Sequence, residues 1–412
     1  MSVNKKILEF NKDRIPALLS RKYAAMRSNP FVFFRGSCHL FYDDLAKAPA
    51  FKDPTRAWIC GDLHLENFGT YKGDNRAAYF DLNDFDEAVL APCTWEIARV
   101  LTSIWVASGS VGYSAKDAGF LSESFLKTYV ATLRRGKAGA IEKDTIRGLV
   151  RKFLLSLKLR SRGEFIGRRT VFKKGELKLR IDNEHAMELV PGQKKLIIDF
   201  FDDWRSERPD RKFFKVYDAA IRIAGTGSLG VERYVVLVRG NGPGQEYLLD
   251  LKKSSASCLN KHLKIKQPAW KNEAERITQI QDRVQAVSPA LLHDARFNGR
   301  HFVLKELQPI QDKMSLSLCK GKLKRMEELI CIMAQVTAFG HLRASGRQGS
   351  SIADELIAFS KEGEWKKQVL HYAATYSKKV ESDFQVYAKA YDEGFFAAEK
   401  MIEKIKTKKK KK

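Results

Sequence analysis

Apolar residues recur at helical spacing between Lys5 and Arg27 (Ile7, Leu8, Ile15, Leu18, Leu19, Tyr23, Met26), which predicts one or two helices before Pro30. The period then shortens. Phe31-Val-Phe-Phe34 reads as an apolar strand leading into Arg35-Gly36, Ala57-Trp-Ile-Cys60 as a strand ending at Gly61-Asp62, and Ala77-Ala-Tyr-Phe80 as a strand that runs into a cluster of carboxylates. Helical periodicity dominates from Thr94-Trp95 to about Trp204. In the middle of the chain a helix-like segment precedes a glycine run, and Arg233–Val238 and Glu246–Lys252, joined by Gly240-Asn-Gly-Pro-Gly244, predict a β-hairpin. Lys271–Val287 is helix-periodic, His301–Leu307 is another strand, and helices resume from Ser315 to about Lys406. No segment repeats at a fixed period. The whole predicts an α+β chain with its strands concentrated around residues 206–310.

The chemistry is concentrated in two early turns. In Cys60-Gly-Asp62-Leu-His64-Leu-Glu-Asn67, an aspartate and an asparagine stand five apart after a strand, the spacing of phosphotransfer catalytic loops. There the aspartate handles the acceptor hydroxyl and the asparagine helps to hold magnesium. His64 orients the loop by hydrogen bonding, since Asp62 occupies the place of the base. Next comes Asp81-Leu-Asn83-Asp84-Phe85-Asp86-Glu87, where carboxylates at such density repel one another unless a cation sits among them. Asn67 and Asp84 are therefore the expected metal ligands, with Asp81 and Asp86 as alternates. Far downstream, Gly225-Thr-Gly227-Ser228-Leu-Gly230 precedes the hairpin. Glycines there let backbone N–H groups approach phosphates, and Lys252, near the end of the second strand, would pair with them. Arg35, beside a glycine, can reach a phosphate bidentately or serve as an ordinary ion-pair partner.

Charge adds a second theme. The 412 residues carry 74 Lys and Arg against 49 Asp and Glu, a net of +25. Ala131–Arg180 alone holds a net of +12, and the terminal run from Lys404 to Lys412 holds seven lysines. Such a field attracts nucleic acid or an acidic partner without choosing between them. Six scattered cysteines without a CxxC pair read as reduced thiols, no apolar run approaches the roughly 20 residues of a membrane span, and Met1–Arg14 has no signal-type segment. Together these point to a cytoplasmic protein.

The pairing of Asp62-x-His64-x-x-Asn67 with Asp84-Phe85-Asp86 resembles the catalytic loop and metal motif of the protein-kinase-like superfamily, in its aminoglycoside and choline phosphotransferase branch. Glu96, in Pro92-Cys-Thr-Trp-Glu96-Ile-Ala-Arg99, resembles the acid that anchors the catalytic loop. More narrowly, Asn29–Gly36, both loops, Gly225–Gly230, Leu249–Lys252 and His341–Gly346 resemble the bacterial family catalogued as domain of unknown function 2252. The superfamily resemblance implies ATP and Mg²⁺ as cofactors and a two-lobed fold, with a small β-rich nucleotide lobe and a large helical one. Gly225, Gly227, Ser228, Gly230 and Lys252 would hold the triphosphate. Gln279 stands where a glutamate would pair with Lys252, so Glu275, one turn earlier, is assigned that role. Glu306 falls in the segment resembling the adenine-binding hinge.

The elements come in rotated order: residues 1–205 carry the catalytic and metal turns, 206–310 the nucleotide lobe, 311–403 the remaining helices, and 404–412 a disordered tail. This implies a circularly permuted kinase-like phosphotransferase acting on an unidentified acceptor, an anionic one being suited to the basic stretch. Two alternatives stay open: nucleotidyl (AMP) transfer at the same site, and a catalytically inactive scaffold that binds nucleic acid or an acidic partner.

Overall fold

Asn29-Pro30 starts a helix, not a strand. In the computed structural model, which describes residues 1–309 and 312–397, the Asn29 side chain accepts the Val32 N–H at 2.9 Å and Pro30 fills the first turn of a helix over Pro30–Gly36. Phe31, Phe33 and Phe34 are all buried, so the short apolar run is a helix clasped by core on several sides. The expected tail at 404–412 lies outside the described residues.

The described residues form a mixed α+β architecture with thirteen α-helices and a six-stranded antiparallel sheet. The strands lie in the order His293–Phe297, Arg300–Glu306, Tyr247–Lys253, Arg233–Val238, Val216–Arg222, Ala186–Met187. Two features depart from the periodicity. The helix-like segment ahead of the glycines contains the strand Val216–Arg222, and the long helical stretch is broken by a hairpin, Thr170–Lys173 with Glu176–Leu179. In both, cross-strand pairing overrides weak local preference.

The sheet's two faces differ, and the difference builds the site. One face is mainly apolar: Tyr234, Val236, Leu249, Leu251, Phe302 and Leu304 pack beneath Ile197 and Phe201 of the helix Gln193–Ser206. Each such side chain contributes about 1.5–3 kcal/mol by leaving water. The other face is divided. Val235, Leu237, Leu248 and Leu307 are covered by Ile166 and Leu179, whereas Arg222, Arg233, Asp250, Lys252 and Lys305 face a cleft.

Below the cleft, the strand Phe68–Lys72 pairs with Ala78–Leu82 and with Asp312–Lys313, and Ala57–Ile59 pairs with Val89–Ala91. The helices Cys93–Val111, Ala115–Arg134, Leu323–Arg343 and Glu364–Asp392 pack around these turns in one large core. No helix among the described residues is long and apolar enough to cross a membrane.

The N-terminal helices contribute a pH-sensitive element. His39 is buried, stacked on Phe10 at 4.0 Å, and neither ring nitrogen has a hydrogen-bond partner. Burial, reinforced by Lys22, Lys261 and Arg14 and only partly opposed by Asp43, pushes its pKa down to about 3. Below the usual 6.5 the unfolded chain therefore takes up a proton that the folded chain refuses. Stability falls as pH drops from 6.5 toward 3, by about 1.4 kcal/mol per pH unit for this group. Denaturant titrations from pH 7.5 to 5 should show a shallower loss for His39→Phe, and parallel slopes would remove His39 from the account.

Candidate functional site

A cleft of about 660 Å³ separates the charged half of the sheet from the early acidic turns. Arg35, Asp62, His64, Asn67, Asp84, Asp86, Lys252 and the glycine run from Gly225 to Leu229 line it, whereas Gly230 does not. Residues far apart in sequence are thus gathered around one ligand-sized space.

The Asp62 loop is held from behind. Glu96, fully buried, accepts the backbone N–H groups of Cys60 (2.7 Å) and Gly61 (3.3 Å), and its other oxygen meets His341 Nε2 at 2.8 Å. His341 in turn contacts the Tyr129 hydroxyl at 2.8 Å. Gly61 adopts φ +81°, and a Cβ there would lie 2.2 Å from the Glu87 carbonyl, so the turn requires glycine. Asp62 itself is gripped by Arg99, which is wholly buried and donates from Nε (2.8 Å) and Nη2 to Asp62 Oδ1. Both bonds go to Oδ1, which leaves Oδ2 for the cleft. Arg99 lies three residues after Glu96, on the same helix face, and that spacing is the signal by which the sequence could have named it.

His64 caps the following 3₁₀ turn: its Nδ1 accepts the Glu66 N–H at 3.1 Å. Burial, then Arg35 and Arg99, holds its pKa well below 6.5, so the ring is neutral and fit for orienting the loop. Arg35 pairs with Glu66 at 2.5 Å, and Lys313 pairs with the same carboxylate oxygen.

Asn67 joins the two turns. Its Nδ2 donates to the carbonyls of Asp62 (3.1 Å) and Asp84 (3.3 Å), while its Oδ1 accepts the N–H groups of Asp84 (2.8 Å) and Asn83 (3.3 Å). Both oxygen lone pairs are engaged, so in this arrangement Asn67 is a staple instead of the expected metal ligand. Asp81 also departs from its expected role. It is buried behind the turn, accepts the N–H groups of Leu82 (2.9 Å) and Ala286 (3.0 Å), and does not line the cleft. Burial raises its pKa.

Asp84 and Asp86 do face the cleft. Lys252 Nζ pairs with Asp86 and lies 3.8 Å from Asp84. The Asp84 carboxylate reaches the water of the cleft while the surrounding protein tends to push its pKa up; Lys252, Lys305 and Arg233 outweigh that and hold it below the usual range. Among the described residues no three His, Cys, Asp or Glu side chains gather into a metal cage. Two carboxylates beside a cation-lined space still suit magnesium, which completes its shell with water and phosphate oxygens.

The glycine run closes a hairpin between Val216–Arg222 and Arg233–Val238, with Gly225 and Gly230 at positive φ. The N-terminal segment grips it. Arg14 donates to the carbonyls of Gly227 (2.5 Å) and Leu229 (2.8 Å), Lys22 to those of Gly227 (2.7 Å) and Thr226 (3.3 Å), and Ile15 N–H to Gly230 O at 2.7 Å. Lys22 is completely buried, which together with Arg14 drives its pKa well below 10.5. Neither residue sits in a motif, so sequence reading missed them.

Two expected nucleotide contacts fall elsewhere. Glu275 caps its own helix, accepting the Lys271 N–H at 2.5 Å and the Gln279 amide at 3.2 Å, and does not meet Lys252, whose carboxylate partners are Asp86 and Asp84. The face of the helix Glu273–Val284 that reaches the cleft carries Ile277 and Gln281, two and six residues beyond Glu275. Glu306 points off the cleft into ion pairs with Arg76 (3.0 Å) and Arg162 (3.4 Å). Arg162 and Arg160, which pairs with Asp312 at 2.8 Å, show that part of the basic stretch at 131–180 is engaged within the protein.

The second charged cluster, on the sheet, was not read from the sequence. Asp250, fully buried, accepts from Arg233 Nε at 2.7 Å and Nη2 at 2.5 Å and lies 2.6 Å from Arg222. Burial alone would raise this carboxyl; the two guanidinium groups hold it far below the usual range. Arg222 is itself pushed down to about 10 by burial and by Arg233.

A family model described as "uncharacterized protein conserved in bacteria (DUF2252)" matches residues 14–390. No curated protein matches the chain, and no solved structure does.

Proposed function

The chain belongs to this bacterial DUF2252 family, and from the geometry of its cleft we propose that it is an ATP- and Mg²⁺-dependent transferase on a circularly permuted kinase-like fold, passing a phosphoryl or nucleotidyl group to a hydroxyl acceptor. One observation carries the reading: Asp62, Asp84, Asp86, Lys252 and Gly225–Leu229 line a single cleft. The unexpected strand at Val216–Arg222 strengthens it. Counted from that strand, Lys252 lies on the third, as the phosphate-binding lysine does in protein kinases. The rotated order is supported by His341 and Arg343, late in the chain, which pack against Glu96 and Asp81 beside the early turns.

In this reading Asp62 Oδ2 accepts the proton of the acceptor hydroxyl, while Arg99 keeps the carboxylate oriented. Asp84 and Asp86 would hold magnesium, which when bound neutralises phosphate charge and aligns the reacting phosphorus. Lys252 and the backbone N–H groups of the glycine run would hold the phosphates, and the N-terminal grip on that run keeps it preorganised.

The ion pair between Lys252 and Asp86 also favours a second reading, in which the lysine is permanently neutralised and the protein is an inactive scaffold. Titration calorimetry and thermal shift separate the two. ATP with Mg²⁺ should stabilise the protein by about 2.7 kcal/mol at a hundred times its Kd, and Lys252→Met should lose most of that gain. A protein indifferent to ATP but stabilised by nucleic acid, with a steep salt dependence, would leave only the scaffold.

A further inference from the structure

The nucleotide's orientation follows from what lies next to Lys252. Two residues earlier on the same strand face is Asp250, with Arg222 and Arg233 upon it. Lys305 is its cross-strand neighbour. Three cations around one carboxylate leave this floor with a net charge of +2, and among the described residues the Lys305 side chain makes no ion pair or hydrogen bond, although Asp250 and Asp84 attract it. A neutral purine placed here would desolvate charges and return nothing to them. Two of the adjoining backbone donors are already engaged: the Glu306 N–H donates to Ala290 O at 3.2 Å and the Leu307 N–H to Leu248 O at 2.8 Å. Of the apolar residues on this face, Val235, Leu237 and Leu248 are covered by Ile166 and Leu179, while Val303 and Leu307 reach the cleft on either side of the Lys305 cation. A polyphosphate suits the same floor, because its oxygens can accept from Arg222, Arg233 and Lys305 together.

We infer, resting on the nucleotide reading above, that the β- and γ-phosphates of ATP lie on the Arg222–Arg233–Lys305 floor with the nucleoside directed away from it, so that the α-phosphorus meets Asp62, Asp84 and Asp86 and the group transferred is AMP. Asp62 Oδ2 takes the acceptor's hydroxyl proton as the acceptor's hydroxyl oxygen bonds to the α-phosphorus. The bond from the α-phosphorus to its bridging oxygen breaks, and pyrophosphate departs with the electron pair onto the cationic floor.

Inorganic tripolyphosphate, adenosine and ATP labelled at the α or γ position are the probes. Calorimetry on the full chain should show tripolyphosphate binding that competes with ATP. Lys305→Met, which removes an unpaired cation and orphans no partner, should weaken tripolyphosphate by about tenfold, the worth of one charge-assisted hydrogen bond, and leave adenosine binding unchanged. With cell extract as the source of acceptor, the α-label should become covalently attached and the γ-label should appear as pyrophosphate. Attachment of the γ-label with release of ADP would overturn this orientation while leaving the transferase intact. Weakening of adenosine and not of tripolyphosphate by Lys305→Met would overturn it equally. If the wild-type protein binds neither ATP nor tripolyphosphate, the orientation and the nucleotide reading fall together.

Discussion

Asp84→Ala should cut group transfer by about 10³-fold, the scale on which a single preorganised charge-stabilising group acts, and leave the melting temperature within about 2 °C of wild type. The two halves of this expectation have separate causes. Asp84 is the cleft-facing carboxylate held ionised by Lys252, Lys305 and Arg233, so it is the member of the acidic turn best placed to hold a divalent cation. Structurally it is nearly dispensable. Its carboxylate accepts one long bond, from the Asp86 N–H at 3.3 Å, and Lys252 keeps Asp86 as partner when Asp84 is removed. The joint to Asn67 uses Asp84's backbone and survives the substitution. Transfer assays with labelled ATP beside calorimetric unfolding would check both halves. Full activity in a folded variant would take the metal site away from this turn.

Asp62→Ala should behave differently, losing transfer and stability together. Its partner Arg99 is wholly buried, lies 4.1 Å from the Phe34 ring centroid, and keeps one further acceptor, the Phe34 carbonyl at 3.2 Å. Deleting the carboxylate leaves a buried cation without its counter-charge, a change that costs about 3–5 kcal/mol in comparable pairs. An inactive Asp62→Ala protein would therefore say little about catalysis by itself. The informative comparison adds Arg99→Met: the double variant should regain a large part of the lost stability and none of the activity. Recovery of transfer in the double variant would mean that Asp62 is a structural counter-ion and that another group handles the acceptor proton.

The contrast between these two aspartates marks where sequence reading ended. Both lie in motifs whose spacing is local, and local spacing is visible in a linear chain. The turn at Gly61-Asp62, the acidic run at Asp81–Glu87 and the glycine run with the lysine strand after it were all legible, because backbone geometry and short-range charge repulsion act within a few residues. The helix at Pro30–Gly36 was legible in principle from Asn29-Pro30, but four consecutive bulky residues masked the cap. Asn67 had the right spacing for a ligand, yet whether its amide faces a cation or a neighbouring backbone is settled by the approach of Asp84 from another turn. The same holds for Lys252, whose acidic partner comes from the early turns and not from the helix that follows it.

What the sequence by itself determined is the inventory: an α+β chain, two acidic turns, a glycine hairpin, a lysine at the end of a strand, and a strong positive charge. The tertiary structure decided the assignments. Arg99 becomes the partner of Asp62, Arg14 and Lys22 become clamps on a loop two hundred residues away, and Arg222, Arg233, Asp250 and Lys305 become one charged floor. The physical reason is that burial and pairing of a charge depend on what arrives from elsewhere in the chain, and no periodicity or spacing within one segment encodes that arrival.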